Sequence, residues 1–215
     1  MNITIKLLKI VLFITMTQCL LSISCNKDSS RPCSMVTPYS FNVTSEFSPQ
    51  KEIYNVGDTV YLTSTFPKKL TNLISNQQLQ YTNSIGVGGN ISFSMLDTIN
   101  KQVEYALNKF NVKDLLGNTT ELQNSTTKNA GKNILFYESD IKYEFKIAII
   151  LNQKGLYMIG VTDLSSQGLR GQNCTNAGFN MTVTNTNKNL HLFQYALGYT
   201  PDALLQKYIY CFRVQ

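Results

Sequence analysis

The sequence predicts an all-β fold, an antiparallel β-sandwich of about eight or nine strands with one or two short helices. Three observations favour this fold. Short segments alternate apolar and polar residues, which is the two-residue period of a half-buried strand. Turn residues, mainly glycine, asparagine and aspartate, separate these segments. Strands and helices do not alternate regularly along the chain, so a parallel α/β sheet is not expected.

The first strands are predicted from alternation in the N-terminal half of the domain. The apolar positions of these segments are Tyr39, Phe41 and Val43, then Val60 and Leu62, then Ile91, Phe93 and Met95. The stretch Gln102–Val112 fits two patterns, because its apolar residues match both a helical face and a strand face. It is therefore either a short helix or a strand with a bulge.

Two hairpins are predicted in the C-terminal half. The strand Tyr143–Leu151 is followed by a turn at Asn152–Gly155 and a return strand Leu156–Val161. A second hairpin runs from Phe179 to Tyr195 and turns at Asn185–Asn189.

The chain is predicted to end with a short helix and a strand. Thr200 is a suitable N-cap, and Pro201 is suited to the first helical position, so a helix is expected over Pro201–Gln206. The alternating residues from Tyr208 to Val214 then predict a final strand.

The segment Gly57–Leu62 resembles the start of the second strand in immunoglobulin-like domains through its Gly-Asp-Thr-Val-x-Leu pattern. The chain contains no tryptophan, and it lacks the strand cysteine of true immunoglobulin domains. The resemblance therefore implies a sandwich architecture and no particular site.

Residues 1–24 are predicted to be a lipoprotein signal peptide. Lys6 and Lys9 precede the apolar run Ile10–Ile23, as in a signal peptide. The run contains polar residues and is shorter than the roughly 20 residues that a membrane-spanning helix needs. Small residues precede Cys25, which would carry the lipid.

The ending Leu21-Ser22-Ile23-Ser24-Cys25 resembles the serine-rich lipobox of Bacteroidota lipoproteins. It departs from the commoner lipobox, because Ser22 stands three places before the cysteine and leucine one place further out. The resemblance implies a diacylglyceryl and palmitate anchor on Cys25 and a location at the cell outer membrane, on its periplasmic or surface-exposed face. The alternative is ordinary cleavage after Ser24, because Ser22-x-Ser24 also fits that enzyme's site.

The rest of the chain is expected to form a tether and one domain. Residues 25–38 are polar and predict a flexible spacer, and residues 39–215 predict a single β-sandwich domain. The net charge of +6 is mild and its basic residues are scattered, so nucleic acid is not an expected partner.

Three cysteines remain once the leader is removed and Cys25 is lipidated. Cys174 and Cys211 lie within the predicted domain, whereas Cys33 lies in the tether. Exported proteins retain disulfides, so a Cys174–Cys211 bridge is predicted, although three reduced thiols are the alternative. The spacing does not match a zinc site.

No catalytic constellation is found in the sequence. The single histidine, His191, has no nucleophile motif with it and is expected on an edge or surface strand. Two Ser-x-x-Lys matches, Ser125 to Lys128 and Ser139 to Lys142, lack the accompanying motifs of serine acyl-enzymes. The acidic residues are dispersed, so neither an enzyme activity nor a metal or other cofactor is predicted.

Aromatic composition suggests one candidate ligand surface. The chain has 12 tyrosines and no tryptophan, and four tyrosines lie close together near the C-terminus: Tyr195, Tyr199, Tyr208 and Tyr210. Such rings either line the rim of a core or form a platform for sugars. The sequence thus predicts a non-enzymatic binding or envelope-assembly module with a protein or glycan partner. The alternative is a glycan-binding accessory lipoprotein that uses these tyrosines.

Overall fold

The computed structural model describes residues 38–122 and 129–215, and these ranges are mostly β-structure. They belong to one compact unit. The leader with its lipidation site Cys25, almost all of the tether, and the pair Ser125 and Lys128 lie outside the described residues.

The described chain forms sixteen strands and two α-helices. In chain order the strands are β1 (Tyr39–Ser48), β2 (Ile53–Tyr54), β3 (Thr59–Pro67), β4 (Lys69–Asn72), β5 (Gln77–Gln80), β6 (Val87–Asp97), β7 (Gln102–Tyr105), β8 (Phe110–Leu116), β9 (Asn118–Glu121), β10 (Gly131–Leu135), β11 (Tyr137–Glu138), β12 (Lys142–Leu151), β13 (Gly155–Val161), β14 (Leu164–Ser166), β15 (Ala177–Val183) and β16 (Ile209–Val214). The helices are α1 (Leu190–Leu197), α2 (Ala203–Tyr208) and a 3₁₀ turn at Leu107–Lys109.

The strands form a β-sandwich, which confirms the predicted fold class. The first sheet runs β15-β1-β3-β12, with β8 and β11 beside β12. The second sheet contains β6, β13, β16 and β2, with β7 and β10 beside β6 and β9 beside β10. The short strand β14 pairs with both β15 and β6 and so joins the two sheets. Most pairs are antiparallel, but β1 pairs with β15, and β16 with β2, in parallel.

The core lies between the inner faces of the two sheets. Alternating residues of β1, β3, β12 and β15 point inward and meet those of β6, β13 and β16. Aromatic rings cross between the layers: Phe47 stacks on Tyr210 with centroids 5.1 Å apart, and Phe110 meets Tyr157 at 4.9 Å. Burial of these large rings is the main source of stability.

The two helices cover the outer face of the second sheet. Leu192, Phe193, Ala196 and Leu197 of α1 are buried against the outward residues of β6, β13 and β16. α1 ends at Gly198, whose positive φ of 81° suits the end of a helix. Neither helix is long and apolar enough to cross a membrane, and the same holds for the rest of the described chain.

The outer face of the first sheet has no such cover among the described residues. Its outward side chains are mostly hydroxyls and amides, from Asn42, Thr44, Thr63, Thr65, Asn180 and Thr182. We call this surface the open face. Its charged side chains are Glu46 of β1 and Lys142, Glu144 and Lys146 of β12. The Lys142 ammonium pairs with Glu144, and the Lys146 ammonium lies 5.3 Å from the centroid of the Tyr61 ring.

Both predicted hairpins are wrong in their pairing. β12 pairs with β3, β8 and β11, whereas β13 pairs with β6 and β16, so residues 152–154 cross from one sheet to the other. In the second hairpin, Leu190–Leu197 forms α1 instead of a return strand. The apolar outer face of β6, β13 and β16 lies beneath this segment, and the helix buries it.

Other predicted elements are confirmed with adjusted boundaries. The C-terminal helix begins after Asp202, whose carboxylate accepts the backbone N–H of Leu205 at 2.7 Å, so the N-cap lies two residues beyond Thr200. Gln102–Val112 contains β7, the 3₁₀ turn and the start of β8. The strand number exceeds the predicted eight or nine because several strands are only two to four residues long, too short for an apolar period to identify them.

Candidate functional site

The four C-terminal tyrosines do not form one platform. Tyr210 is fully buried in the core, and its hydroxyl donates to the carbonyl of Lys51 at 2.7 Å. Tyr208 is half-buried, and its hydroxyl donates to Asp163 Oδ2 at 3.1 Å. Only Tyr195 and Tyr199 are strongly exposed, at 67% and 58%. The predicted platform is therefore wrong as a set of four, because β16 turns Tyr210 inward.

Tyr195 lies in a cleft where α1 meets the second sheet. The cleft measures about 270 Å³ and is lined by Thr98, Gly155, Leu156, Tyr195, Arg213 and Val214. Helical spacing explains the position of Tyr195, because its neighbours in α1 point into the apolar cluster and leave its ring on the exposed side. We call this the Tyr195 cleft.

Arg213 faces the Tyr195 ring from the adjacent strand. Phe212 and Val214 of β16 point into the core, so alternation directs Arg213 outward to the helix side. The guanidinium carbon lies 6.0 Å from the centroid of the Tyr195 ring, within the range of a cation–π contact. The guanidinium has no hydrogen bond or ion pair with any described residue. Its N–H donors are therefore available to a ligand.

Two acidic residues approach the cleft, and each has another partner. Asp97 precedes Thr98, and its carboxylate accepts hydrogen bonds from the backbone of Ile99 and from Asn100. These bonds lower the Asp97 pKa below its ordinary value. Glu52 offers its backbone carbonyl to the N–H of Arg213, and its carboxylate lies 3.3 Å from His191 Nε2. Neither carboxylate pairs with Arg213.

The catalytic candidates lie apart from one another. His191 is on α1 instead of on the expected strand, and its exposed ring faces Glu52. The Ser139 hydroxyl bonds only to the backbone of Lys142, while the Lys142 ammonium pairs with Glu144 at 2.8 Å. Ser139 and Lys142 therefore form a local turn and not a nucleophile with its base. Within the described ranges, no group of three or more His, Cys, Asp or Glu residues could hold a metal ion.

The predicted Cys174–Cys211 bridge is wrong. Cys211 is a free thiol, fully buried under the helices, and burial raises its pKa to about 12. Cys174 is disulfide-bonded and lies on the exposed loop before β15. The outward alternation of β16 places the Cys211 side chain in the apolar cluster under the helices.

A buried ion pair was not predicted from the sequence. The Lys68 ammonium lies 2.9 Å from Glu138 Oε1, and both side chains are largely buried. Glu138 also accepts the backbone N–H groups of Asn83 and Ser84 and the Ser84 hydroxyl, at 2.6, 3.0 and 3.1 Å. Because every oxygen has a partner, this cluster fixes loops together and offers no free group to a substrate.

Comparisons with known proteins give only distant likenesses. No protein-family model matches the chain, and no curated protein matches it. Among solved structures, a type II cohesin domain from the cellulosome of Acetivibrio cellulolyticus is 12% identical with a TM-score of 0.28, over 65% of this chain and 84% of that one. The second type II cohesin module of the cellulosomal adaptor ScaA scaffoldin from the same organism is 10% identical with a TM-score of 0.28, over 67% and 87%. Likenesses of this size carry no inference about what this chain binds.

Proposed function

We propose that this chain is a lipid-anchored binding protein of the cell envelope that holds a glycan without converting it. The lipobox ending at Cys25 supports export and anchoring at the outer membrane. The observation that carries the binding role is the Tyr195 cleft, where an exposed ring lies beside unpaired hydrogen-bond donors.

The chemistry of the cleft suits a sugar. The faces of a pyranose ring carry C–H groups that pack on an aromatic ring, and its hydroxyls need donors and acceptors. Arg213 supplies donors, and the Thr98 hydroxyl can donate or accept.

Hydrolysis of a glycosidic bond ordinarily needs two carboxylates on either side of the bond. The residues that line the cleft include none. This supports a role in holding the glycan over one in cleaving it.

Binding to a glycan array tests the proposal, with the purified lipoprotein in detergent and its Tyr195→Ala variant. Loss of the ring should weaken binding about tenfold or more, because aromatic contacts contribute about 0.5–1.5 kcal/mol beyond their buried area. Tyr137→Ala is the matched control, because Tyr137 is also exposed but lies on β11 of the other sheet. An array without any bound glycan, or equal loss in both variants, would reject the proposed function.

The open face favours a second candidate, an assembly role in which a partner protein docks on the first sheet. Thr44 and Thr63 lie near its centre on adjacent strands. The double variant Thr44→Arg, Thr63→Arg should unfold within a few degrees of wild type. A partner that co-purifies in stoichiometric amount with wild type from solubilised envelopes should be absent from the double variant. If wild type co-purifies with no such partner, or the double variant retains it, the assembly role is wrong.

A further inference from the structure

We infer that the Tyr195 cleft selects a glycan residue that carries a carboxylate, that is, a uronic acid. This inference rests on the proposed glycan binding and names the ligand class for the same site. The arrangement that leads to it is the Arg213 guanidinium beside the exposed Tyr195 ring, without a hydrogen bond or ion pair to any described residue.

Arg213 is suited to a carboxylate. A guanidinium presents parallel N–H donors that match the two oxygens of a carboxylate in a bidentate pair. Its contact with the Tyr195 ring restricts its orientation, so less entropy is lost when a ligand binds. A neutral sugar would leave part of this donor set and its charge without an equivalent partner.

Two lysines stand close in the chain to residues that line the cleft. Lys154 precedes Gly155 in the chain, and Lys101 lies in the same turn as Thr98. The Lys101 ammonium lies close to Gly198, since a Cβ atom built on this glycine would be 3.8 Å from the Lys101 nitrogen. The Lys101 charge is therefore near the C-terminal end of α1. The two nearby carboxylates, of Asp97 and Glu52, face their own partners.

The shape of the cleft favours one sugar residue of a chain. Its volume of about 270 Å³ is slightly below the roughly 300–1,000 Å³ of sites for drug-sized ligands. The Tyr195 side chain is two-thirds exposed, so a pyranose can pack on the part of the ring that Arg213 does not cover. The carboxylate at C5 of a uronic acid can then reach the guanidinium while the ring stays on the tyrosine.

The test compares oligogalacturonate with the same oligosaccharide after chemical reduction of its carboxyl groups, which leaves a neutral galactan of equal length. Calorimetry with the intact lipoprotein in detergent should show binding of the acid form and at least a tenfold loss for the reduced form. Added salt should weaken binding of the acid form.

Variants separate the guanidinium from the ring. Arg213→Gln should lower the affinity for the acid form at least tenfold and change the affinity for the reduced form little. Tyr195→Ala should lower the affinity for both forms. Arg170→Gln is the matched control, because Arg170 lies on a loop away from the cleft. The unfolding temperature of Arg213→Gln shows whether this variant folds. If it folds poorly, Arg213→Lys is used in its place and should keep part of the affinity for the acid form.

The outcomes distinguish this inference from the proposed function. If neutral glycans bind through Tyr195 and Arg213→Gln changes nothing, the uronic acid assignment is wrong and the glycan role stands. If no glycan of either kind binds, both are wrong. If poly-glutamate competes as well as oligogalacturonate, the site recognises carboxylates without the sugar, and the inference is again overturned.

Discussion

The side-chain amide of Asn185 forms a pair of hydrogen bonds with the backbone of Phe47. The Phe47 N–H donates to Asn185 Oδ1 at 2.8 Å, and Asn185 Nδ2 donates to the Phe47 carbonyl at 2.6 Å. Asn185 is buried and follows β15, so its amide continues the pairing of β1 beyond the end of its parallel neighbour. The Asn185 side-chain amide thus takes the place that a backbone peptide group would occupy if β15 continued beside Phe47.

Asn185→Ala is therefore expected to lower the free energy of unfolding by about 2–4 kcal/mol, because two buried backbone groups of Phe47 lose their partners. Urea unfolding followed by circular dichroism measures the change. Asn111→Ala is the control, because Asn111 is exposed on β8 and its side chain has no hydrogen bond with a described residue. Equal stability of the two variants would contradict the assigned role of Asn185.

The central strand β12 should be a centre of stability. Ile147 and Ile149 are both fully buried in the core, so replacing either with alanine should cost about 2–5 kcal/mol through lost burial and a cavity. Ile141→Ala, at a position 73% exposed, should change stability by less than about 0.5 kcal/mol. Differential scanning calorimetry measures the change in stability of each variant. A loss of stability under about 1 kcal/mol at both core positions would place β12 outside the core.

Stability should fall with acid through Glu138. Burial disfavours its charged form, but the Lys68 ammonium and the N–H and hydroxyl donors outweigh burial and lower its pKa. A lowered folded-state pKa stabilises the protein above the unfolded pKa of about 4.3, and this contribution is lost as pH falls through the folded value.

Glu138→Gln should accordingly be less stable than wild type by about 1–3 kcal/mol at pH 7, because charge-assisted bonds are replaced. The difference should shrink below about pH 4, where wild type also becomes protonated. Urea unfolding at a series of pH values measures both variants. A difference that stays constant from pH 7 to pH 3 would show that the Glu138 charge does not contribute.

Lipid anchoring predicts that a palmitate analogue labels the protein in cells and that Cys25→Ser abolishes the label. Two acyl chains give stable anchoring, at about 0.8 kcal/mol for each buried methylene. Fractionation should then move the protein from the membrane pellet to the soluble fraction. An unlabelled, soluble wild-type protein would instead support ordinary cleavage after Ser24.

The Cys211 thiol is free and fully buried in the folded protein. Cys211 should resist alkylation at pH 8 in the folded protein, since burial keeps its thiol protonated. Alkylation of Cys211 as fast in the folded protein as in the urea-unfolded protein would contradict this protection.

The sequence patterns located most strands but not their partners. The alternation of β1, β12 and β16 follows from burial of one face of each strand, which is a local property. The step from β12 to β13 resembles a hairpin turn, yet the connection crosses between the sheets, because both strands are buried among longer-range partners. Pairing depends on the whole core, so periodicity alone does not determine it.

The segment after Asn189 shows why the candidate site was only partly predicted. Leu190, Leu192 and Ala196 fit both strand and helix periods, and the choice depends on Met158, Ile209 and Cys211, whose outer apolar face requires cover. Tyr195 was recognised from its residue type. Arg213 was not, because the sequence gives no signal that β16 would lie beside α1.

Strand β8 ends the first sheet, and within the described residues it pairs with β12 alone. A free strand edge can recruit another copy, but Leu115 is an extra residue in the register with β12 and bends this edge, while Lys113 and Asp114 place charges along it. Copies held by a lipid on one membrane would collide in two dimensions far more often than in solution. The bulge and its charges would let such copies crowd together without joining edge to edge into aggregates.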